Sequence, residues 1–286
     1  MSARAWTAFA LVSVLWGIPY LFIRIAVEDG ISPGFLAWSR VVLGAAILLP
    51  LASRAGALSG LRGHLRWLLA YAALEIAIPF PLIALGEEHV SSSVTAILIA
   101  ATPLLVAILA RVFDHSERVG GRRLAGLAVG FAGVIALVGV DIAGVREELL
   151  GAVAILIAAV GYAAGPMTLQ ARLATIDPLA TMAAALAIAA VLLTPLAALS
   201  PPVDPVPATA IASIAVLGIL CTAAAFVLFG ALVIDVGAGR ALVITYVAPV
   251  VALVAGIVIL AESPGLGTLI GLPLILAGSA LATGAD

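Results

Sequence analysis

Val94–Val134, VTAILIAATPLLVAILARVFDHSERVGGRRLAGLAVGFAGV, decides the fold, because a second copy follows near the end of the chain. That copy is Arg240–Ser279, RALVITYVAPVVALVAGIVILAESPGLGTLIGLPLILAGS. Setting Pro103 on Pro249 gives an offset of 146 residues. Closing up one residue then puts Glu117 on Glu262, Leu124 on Leu269, Gly126 on Gly271 and Gly133 on Gly278. Each copy reads as an apolar helix with a proline in its middle, a turn carrying a glutamate, and a glycine-spaced apolar helix. A period this long lies far beyond the roughly 20–50 residues of a solenoid unit. The chain is therefore expected to be a doubled one, with halves at residues 1–145 and 146–286.

Composition sets the class. Of 286 residues, 64% are hydrophobic and 10% are charged, and the mean hydropathy is +1.30. Soluble domains carry about 25% charged residues and about half apolar ones. A water-soluble core has no room for this much apolar surface, so the expected solvent is lipid. A net charge of -2 gives no basic patch or stripe for nucleic acid. The single cysteine, Cys221, lies in an apolar run, which leaves neither a disulfide nor a cysteine-based metal site.

Ten apolar stretches are expected to span the membrane. They are Trp6–Ile25, Pro33–Ala52, Trp67–Leu85, Ser92–Arg111, Arg123–Val140, Gly151–Leu169, Pro178–Leu199, Ala208–Val233, Arg240–Ala261 and Leu266–Thr283. Each is close to the ~20 residues that cross the hydrocarbon. The length and aromatics of the first favour a retained span over a cleaved leader. No soluble domain fits between them, and Ser200–Pro207 reads as a stiff turn.

Basic residues accumulate in cytoplasmic loops. With the N-terminus inside, the inner loops hold Arg4, Arg54, Arg62, Arg66, Arg111, Arg118, Arg122, Arg123, Arg172 and Arg240. The outer loops hold Arg24 and Arg146, together with Glu28, Asp29, Glu87, Glu88, Glu147 and Glu148. Both termini are expected on the cytoplasmic side. Five spans per half make the halves enter the membrane from opposite sides, so the turn with Glu117 lies inside and the turn with Glu262 outside. Inverted repeats are a recurrent plan of secondary transporters, whose substrate site lies near the midplane where the halves meet.

These residues resemble the EamA-type transporters of the drug/metabolite transporter superfamily. The likeness is carried by Trp16-Gly17, Pro33 with Arg40, Ala77-Ile78-Pro79-Phe80, Ala96 to Pro103, and Glu117 with Gly126, Gly130 and Gly133. In the second half it is carried by Gly218 with Thr222, Tyr246 with Pro249, and Glu262 with Gly271 and Gly278. No single motif is specific, but their order, spacing and duplication are. The resemblance implies an all-α integral membrane protein with ten helices in two five-helix repeats around a central cavity, moving small metabolites. Glu75 departs from it, since a neutral polar residue is common there.

Glu75 is the sharpest site candidate. A carboxylate inside an apolar span costs a few kcal/mol on insertion scales and usually faces a cavity or a partner. It suits either proton coupling or binding of a substrate amine, or else a hydrogen bond to a neighbouring helix or a pair with Arg40. Arg40 lies deeper than an arginine easily snorkels; it suits a substrate carboxylate, or a structural partner. Pro79, Pro103 and Pro249 free carbonyls at membrane depth, which is tolerated in a buried helix or beside a water-filled cavity. They are candidate hinges. Trp16, Tyr20, Tyr71, Tyr162 and Tyr246 are candidate cavity aromatics alongside belt or packing roles. Glu117 and Glu262 precede the fifth and tenth helices and are expected to stabilise helix N-termini, with gating contacts as the alternative. Gly126/Gly130 and Gly267/Gly271 are small-xxx-small packing pairs.

An enzyme is not expected. His64, His89 and His115 lack ligand-like spacing, and neither a P-loop nor a nucleophile elbow occurs. No metal and no cofactor is called for. The expected function is secondary active export of amino acids or related small metabolites across the bacterial inner membrane. Protons are the candidate coupling ion, and the protein is a monomer or homodimer. The alternatives are a multidrug or amine exporter of the same fold, and a membrane scaffold or receptor without turnover.

Overall fold

A computed structural model describes residues 2–113, 121–142, 144–202, 205–236 and 243–283. Among these residues every regular element is helical. Eight helical segments are long and apolar enough to cross a membrane: Ala3–Glu28, Pro33–Arg54, Leu65–Glu87, Ser92–Ala110, Leu124–Ile142, Arg146–Arg172, Pro178–Leu199 and Ala208–Leu232. Two shorter apolar helices follow, Ile244–Ile259 and Leu266–Ala282. All ten expected stretches thus meet an apolar helix, eight of them of membrane length. The start of the ninth, including Arg240, lies outside the described residues, as does Glu117.

Several spans are not single α-helices. The first is α1 (Ala3–Gly17) followed by α2 (Pro19–Glu28). Pro19 has no N–H to continue the ladder, so a new helix starts there with proline in its first turn. The second is α3 (Pro33–Arg54), unbroken despite Pro50. The third is α4 (Leu65–Ala72), a π-helical turn Ala73–Ala77, and α5 (Pro79–Glu87). The fourth is α6 (Ser92–Ile99) and α7 (Thr102–Phe113), parted just ahead of Pro103. The fifth is α8 (Gly121–Leu137) with a π-turn at Val138–Ile142.

The second half opens with α9 (Arg146–Arg172) and α10 (Pro178–Leu199). Next come α11 (Ala208–Ala215), a π-helical stretch Val216–Ala224, and α12 (Ala225–Val236). The chain ends with α13 (Ile244–Ile259) and α14 (Leu266–Thr283). The two prolines that the repeat aligns sit differently in their helices. Pro103 coincides with a helix interruption, whereas Pro249 lies inside the continuous α13. The free carbonyl opposite Pro249 is accommodated without a break.

Small residues position the helices, as expected where lipid offers no hydrophobic drive and close packing holds the bundle. The core around α3 and α10 is rich in alanine, with Ala37, Ala45, Ala52, Ala180, Ala183, Ala185 and Ala189 all buried. Large aliphatic side chains such as Ile135, Val191 and Val258 point outward, each at least 70% exposed, as suits a lipid-facing surface. The tightest seam joins α8 to α14. A Cβ on Gly126 would sit 2.8 Å from the Gly278 carbonyl oxygen, and one on Gly133 would sit 2.9 Å from that of Gly271. The relation is reciprocal: a Cβ on Gly271 would sit 2.9 Å from the Gly133 oxygen, and one on Gly278 would overlap the Gly130 backbone. The two glycine-spaced helices that the sequence repeats are therefore packed against each other, antiparallel and backbone to backbone.

Candidate functional site

Two π-helical stretches place polar groups in the middle of the bundle. A π-turn inserts a residue into the helix, widens it and leaves carbonyls without their usual partners, which is why such turns gather at functional sites. The first carries Glu75. Its segment lies on α9 at Gly161 and Gly165: a Cβ on Gly161 would fall 2.9 Å from Pro79 Cγ, and one on Gly165 would fall on the Glu75 carboxylate. The missing side chains make the berth for this acid. Glu75 Oε2 is buried there and accepts no hydrogen bond. Tyr71, 3% exposed and one turn earlier, and Tyr162 on α9 lie within electrostatic reach of it.

The second stretch carries Thr222. Its hydroxyl donates to the Leu217 carbonyl at 2.8 Å, five residues back in the π-helical stretch. The same oxygen accepts from Arg40 Nε at 2.9 Å. Arg40 is 9% exposed, and its guanidinium carbon lies 4.0 Å from the centre of the Phe80 ring, a cation–π arrangement. Tyr20, Tyr162 and Cys221 surround the charge. Arg40 therefore bridges the first half of the chain to the second. Among the described residues it forms no ion pair with Glu75; Arg24–Glu28 is the salt bridge present.

The structure thus brings five candidates together: Glu75, Arg40, Tyr20, Tyr71 and Tyr162, through overlapping electrostatic neighbourhoods. Pro79 adjoins them as the first residue of α5. Trp16 is placed elsewhere, in edge and tilted contact with Phe226 and Phe229 at 5.7 Å and 4.8 Å, so it packs α1 against α12. Tyr246 is half-buried on α13.

Glu262 stabilises a helix N-terminus, but a different one from that expected. Its carboxylate accepts the backbone N–H groups of Ser92 at 2.8 Å and Ser93 at 3.1 Å, and also the Ser93 hydroxyl. It therefore caps α6, a helix of the other half of the chain. Ala261 makes this reach possible by adopting φ 54, a left-handed turn that ends α13, with the Glu262 N–H returning to the Gly256 carbonyl at 3.0 Å. The N-terminus of α14 is capped instead by Asp141, which accepts from Gly267 N, Thr268 N and Thr268 Oγ1 at 2.8, 2.6 and 2.8 Å.

Sequence reading missed Glu87. It counts there as an outer-loop charge, yet as the last residue of α5 it is 0% exposed, and both carboxylate oxygens lack a hydrogen-bond partner. The neighbouring Glu88 and His89 are exposed. No signal in the pair Glu87-Glu88 tells which one faces inward.

A family model described as EamA-like transporter family matches the chain twice, over residues 4–139 and 149–284. The chain belongs to the EamA-like transporter family. A relative from Streptantibioticus cattleyicolor, described as a probable terminal-alkyne amino-acid exporter, is 30% identical over 98% of this chain and 91% of its own. An uncharacterized transporter from Archaeoglobus fulgidus is 25% identical over 96% of this chain and 97% of its own. A solved crystal structure with 21% identity superposes with a TM-score of 0.68, covering 99% of this chain and 97% of that one, a likeness of fold. The protein is thus a multi-pass membrane transporter of the EamA-like family, and a small-molecule substrate follows from that membership.

Proposed function

We propose that this EamA-like protein is a secondary active transporter that exports amino acids or closely related metabolites across a bacterial inner membrane by alternating access. One observation carries the reading: Arg40 of the first half, stacked on Phe80, is tied to Thr222 of the second half on a π-helical turn. A buried guanidinium and the Glu75 carboxylate, with Tyr162 in electrostatic reach of both, offer opposite charges to the two ends of a zwitterion. The name of the Streptantibioticus relative favours the same substrate class.

The architecture in this reading is ten spans in two inverted five-helix repeats, residues 1–145 and 146–286, with both termini cytoplasmic. Three observations support it. The family model matches twice. Glu75 and Cys221, which differ by the offset of 146, both lie on π-helical turns. The α8–α14 seam is self-complementary, since Gly126 meets Gly278 as Gly271 meets Gly133, the reciprocity that a two-fold relation demands. Pro79 and Pro103 then mark the points where spans flex between outward-facing and inward-facing packings. Proton exchange through Glu75 drives the cycle, and the working unit is a monomer or homodimer.

Uptake of radiolabelled amino acids into proteoliposomes, with and without an imposed pH gradient, tests the reading. Gradient-driven flux in the wild type that vanishes in Glu75→Gln is the expected result. Undiminished flux in Glu75→Gln removes the coupling role, and absence of amino-acid flux with retained flux of cationic amines replaces the substrate class by the amine one. Absence of flux for every small solute leaves the scaffold or receptor.

A further inference from the structure

The end of the bundle that holds Glu87 is tied shut by hydrogen bonds between the halves. Glu262 caps α6, Asp141 caps α14, Thr209 donates to Asp29 at 2.5 Å, and Ser32 donates to the Ser200 carbonyl at 2.7 Å. At the Glu262 tie lies a cleft of about 220 Å³, lined by Arg24, Glu28, His89, Val90, Ser91, Leu260 and Glu262. Its lining is mostly polar. Arg24 spans it, donating to Glu28 Oε1 at 2.6 Å and to the backbone carbonyls of Glu87 at 2.5 Å and Val90 at 3.3 Å.

Glu87 is buried next to residues of this cleft: Arg24 donates to its backbone carbonyl, and Arg24, Glu28 and Glu262 act on its carboxylate. The charged and titratable groups in its electrostatic neighbourhood are Arg24, Glu28 and Tyr20 from α2, and Glu262 from the turn ahead of α14. Arg24 spends its guanidinium on Glu28 and on two backbone carbonyls, and no hydrogen bond from it reaches the Glu87 carboxylate. Two further acids crowd the same space. A buried, unpartnered carboxylate beside other carboxylates is far costlier ionised than neutral. The packing therefore accepts Glu87 readily only with a proton on it.

We propose that Glu87 is a proton-binding site at the outer mouth, filled from the outer solution as the mouth closes over it. The proposal rests on the alternating-access reading above. One proton moves: it leaves a hydronium ion in the outer water, and an O–H bond forms on a Glu87 carboxylate oxygen. When the Glu262–Ser92/Ser93 tie parts, water reaches the cleft, Glu87 ionises beside Arg24, and the proton returns to the outer solution. The mouth is thus a proton-linked gate, closed in acid and opened as outer pH rises. It is separate from the Glu75 berth, 12 residues earlier in the same span, or about 18 Å at 1.5 Å per residue.

Labelling tests this. Val90 is 5% exposed and lines the cleft, so Val90→Cys in a Cys221→Ser background reports opening to a membrane-impermeant maleimide in right-side-out proteoliposomes. Rates are normalised to Val145→Cys, which is exposed and corrects for thiol ionisation. The expected normalised rate rises with outer pH, by at most about tenfold per pH unit for one linked proton, and becomes low and flat in Glu87→Gln. His89→Gln and Glu28→Gln keep the slope. If Glu87→Gln does not assemble, Glu87→Asp is expected to keep the slope with a displaced midpoint. An unchanged profile in the Glu87 variants overturns the proton site while leaving alternating access standing, as does loss of the slope in His89→Gln or Glu28→Gln. No labelling of Val90→Cys at any pH overturns both.

Discussion

The Glu262 cap yields the most direct test of how the halves are joined. The carboxylate accepts two backbone N–H groups and one hydroxyl at the start of α6, and Gly256 leaves it room: a Cβ there would fall on Glu262 Oε2 and 2.5 Å from Ser93 Oγ. Removing a capping side chain costs about 0.5–2 kcal/mol, and losing a negative charge at a helix N-terminus adds about 0.3–1 kcal/mol. Glu262 is only half-buried, so water replaces part of what it supplies, and Glu262→Ala is expected to cost about 0.5–2 kcal/mol. Gly256→Ala forces a methyl group against the cap and is expected to cost about 1–3 kcal/mol by overpacking. The two changes share one cause, so they are not additive. In the Glu262→Ala background only the Ser93 hydroxyl still faces the methyl group; freed from the carboxylate it can rotate away, and Gly256→Ala falls to less than about 1 kcal/mol. Denaturant unfolding in mixed micelles, followed by circular dichroism, measures all four corners of the cycle. An equal cost for Gly256→Ala in both backgrounds would refute the argument that Glu262 is seated against Gly256 and Ser93.

Two further outcomes follow from close packing and from the central charge. At the α8–α14 seam Gly278→Ala is expected to cost about 3 kcal/mol or more, because the added carbon meets the Gly130 backbone; Gly139→Ala, with nothing within 4 Å, is expected to be neutral or stabilising by up to about 1 kcal/mol. Equal destabilisation in the same unfolding assay would count against the seam. Arg40→Lys keeps the charge but loses the planar Nε–H to Thr222 and the stack on Phe80, so transport is expected to fall about tenfold, the worth of roughly one charged hydrogen bond. Thr222→Val removes the same bond from the other side, and combining it with Arg40→Lys should add little; additive losses in flux would show that the two residues act separately.

Composition and the lengths of the apolar runs were enough for the class and the apolar helices, while the family showed as a resemblance carried by ordered, duplicated motifs; the class is legible because lipid imposes a simple rule. Every crossing segment must satisfy its own backbone and show about 20 apolar residues, and both demands are written along the chain. The glycine pattern likewise announced helices that pack closely, and the intramembrane charges Glu75 and Arg40 stood out against an apolar background. What the chain did not disclose is who meets whom. Glu262 precedes α14 in sequence yet caps α6, since the left-handed turn at Ala261 swings it across to the other half. Glu87 and Glu88 are identical and adjacent, and only the rotation of α5 against its neighbours buries the first and exposes the second. The π-turns at Ala73–Ala77 and Val216–Ala224 escape a 3.6-residue pattern in runs that are apolar on every face. Pairing, rotation and local rewinding depend on distant residues competing for the same space, and that competition is settled only when the helices pack.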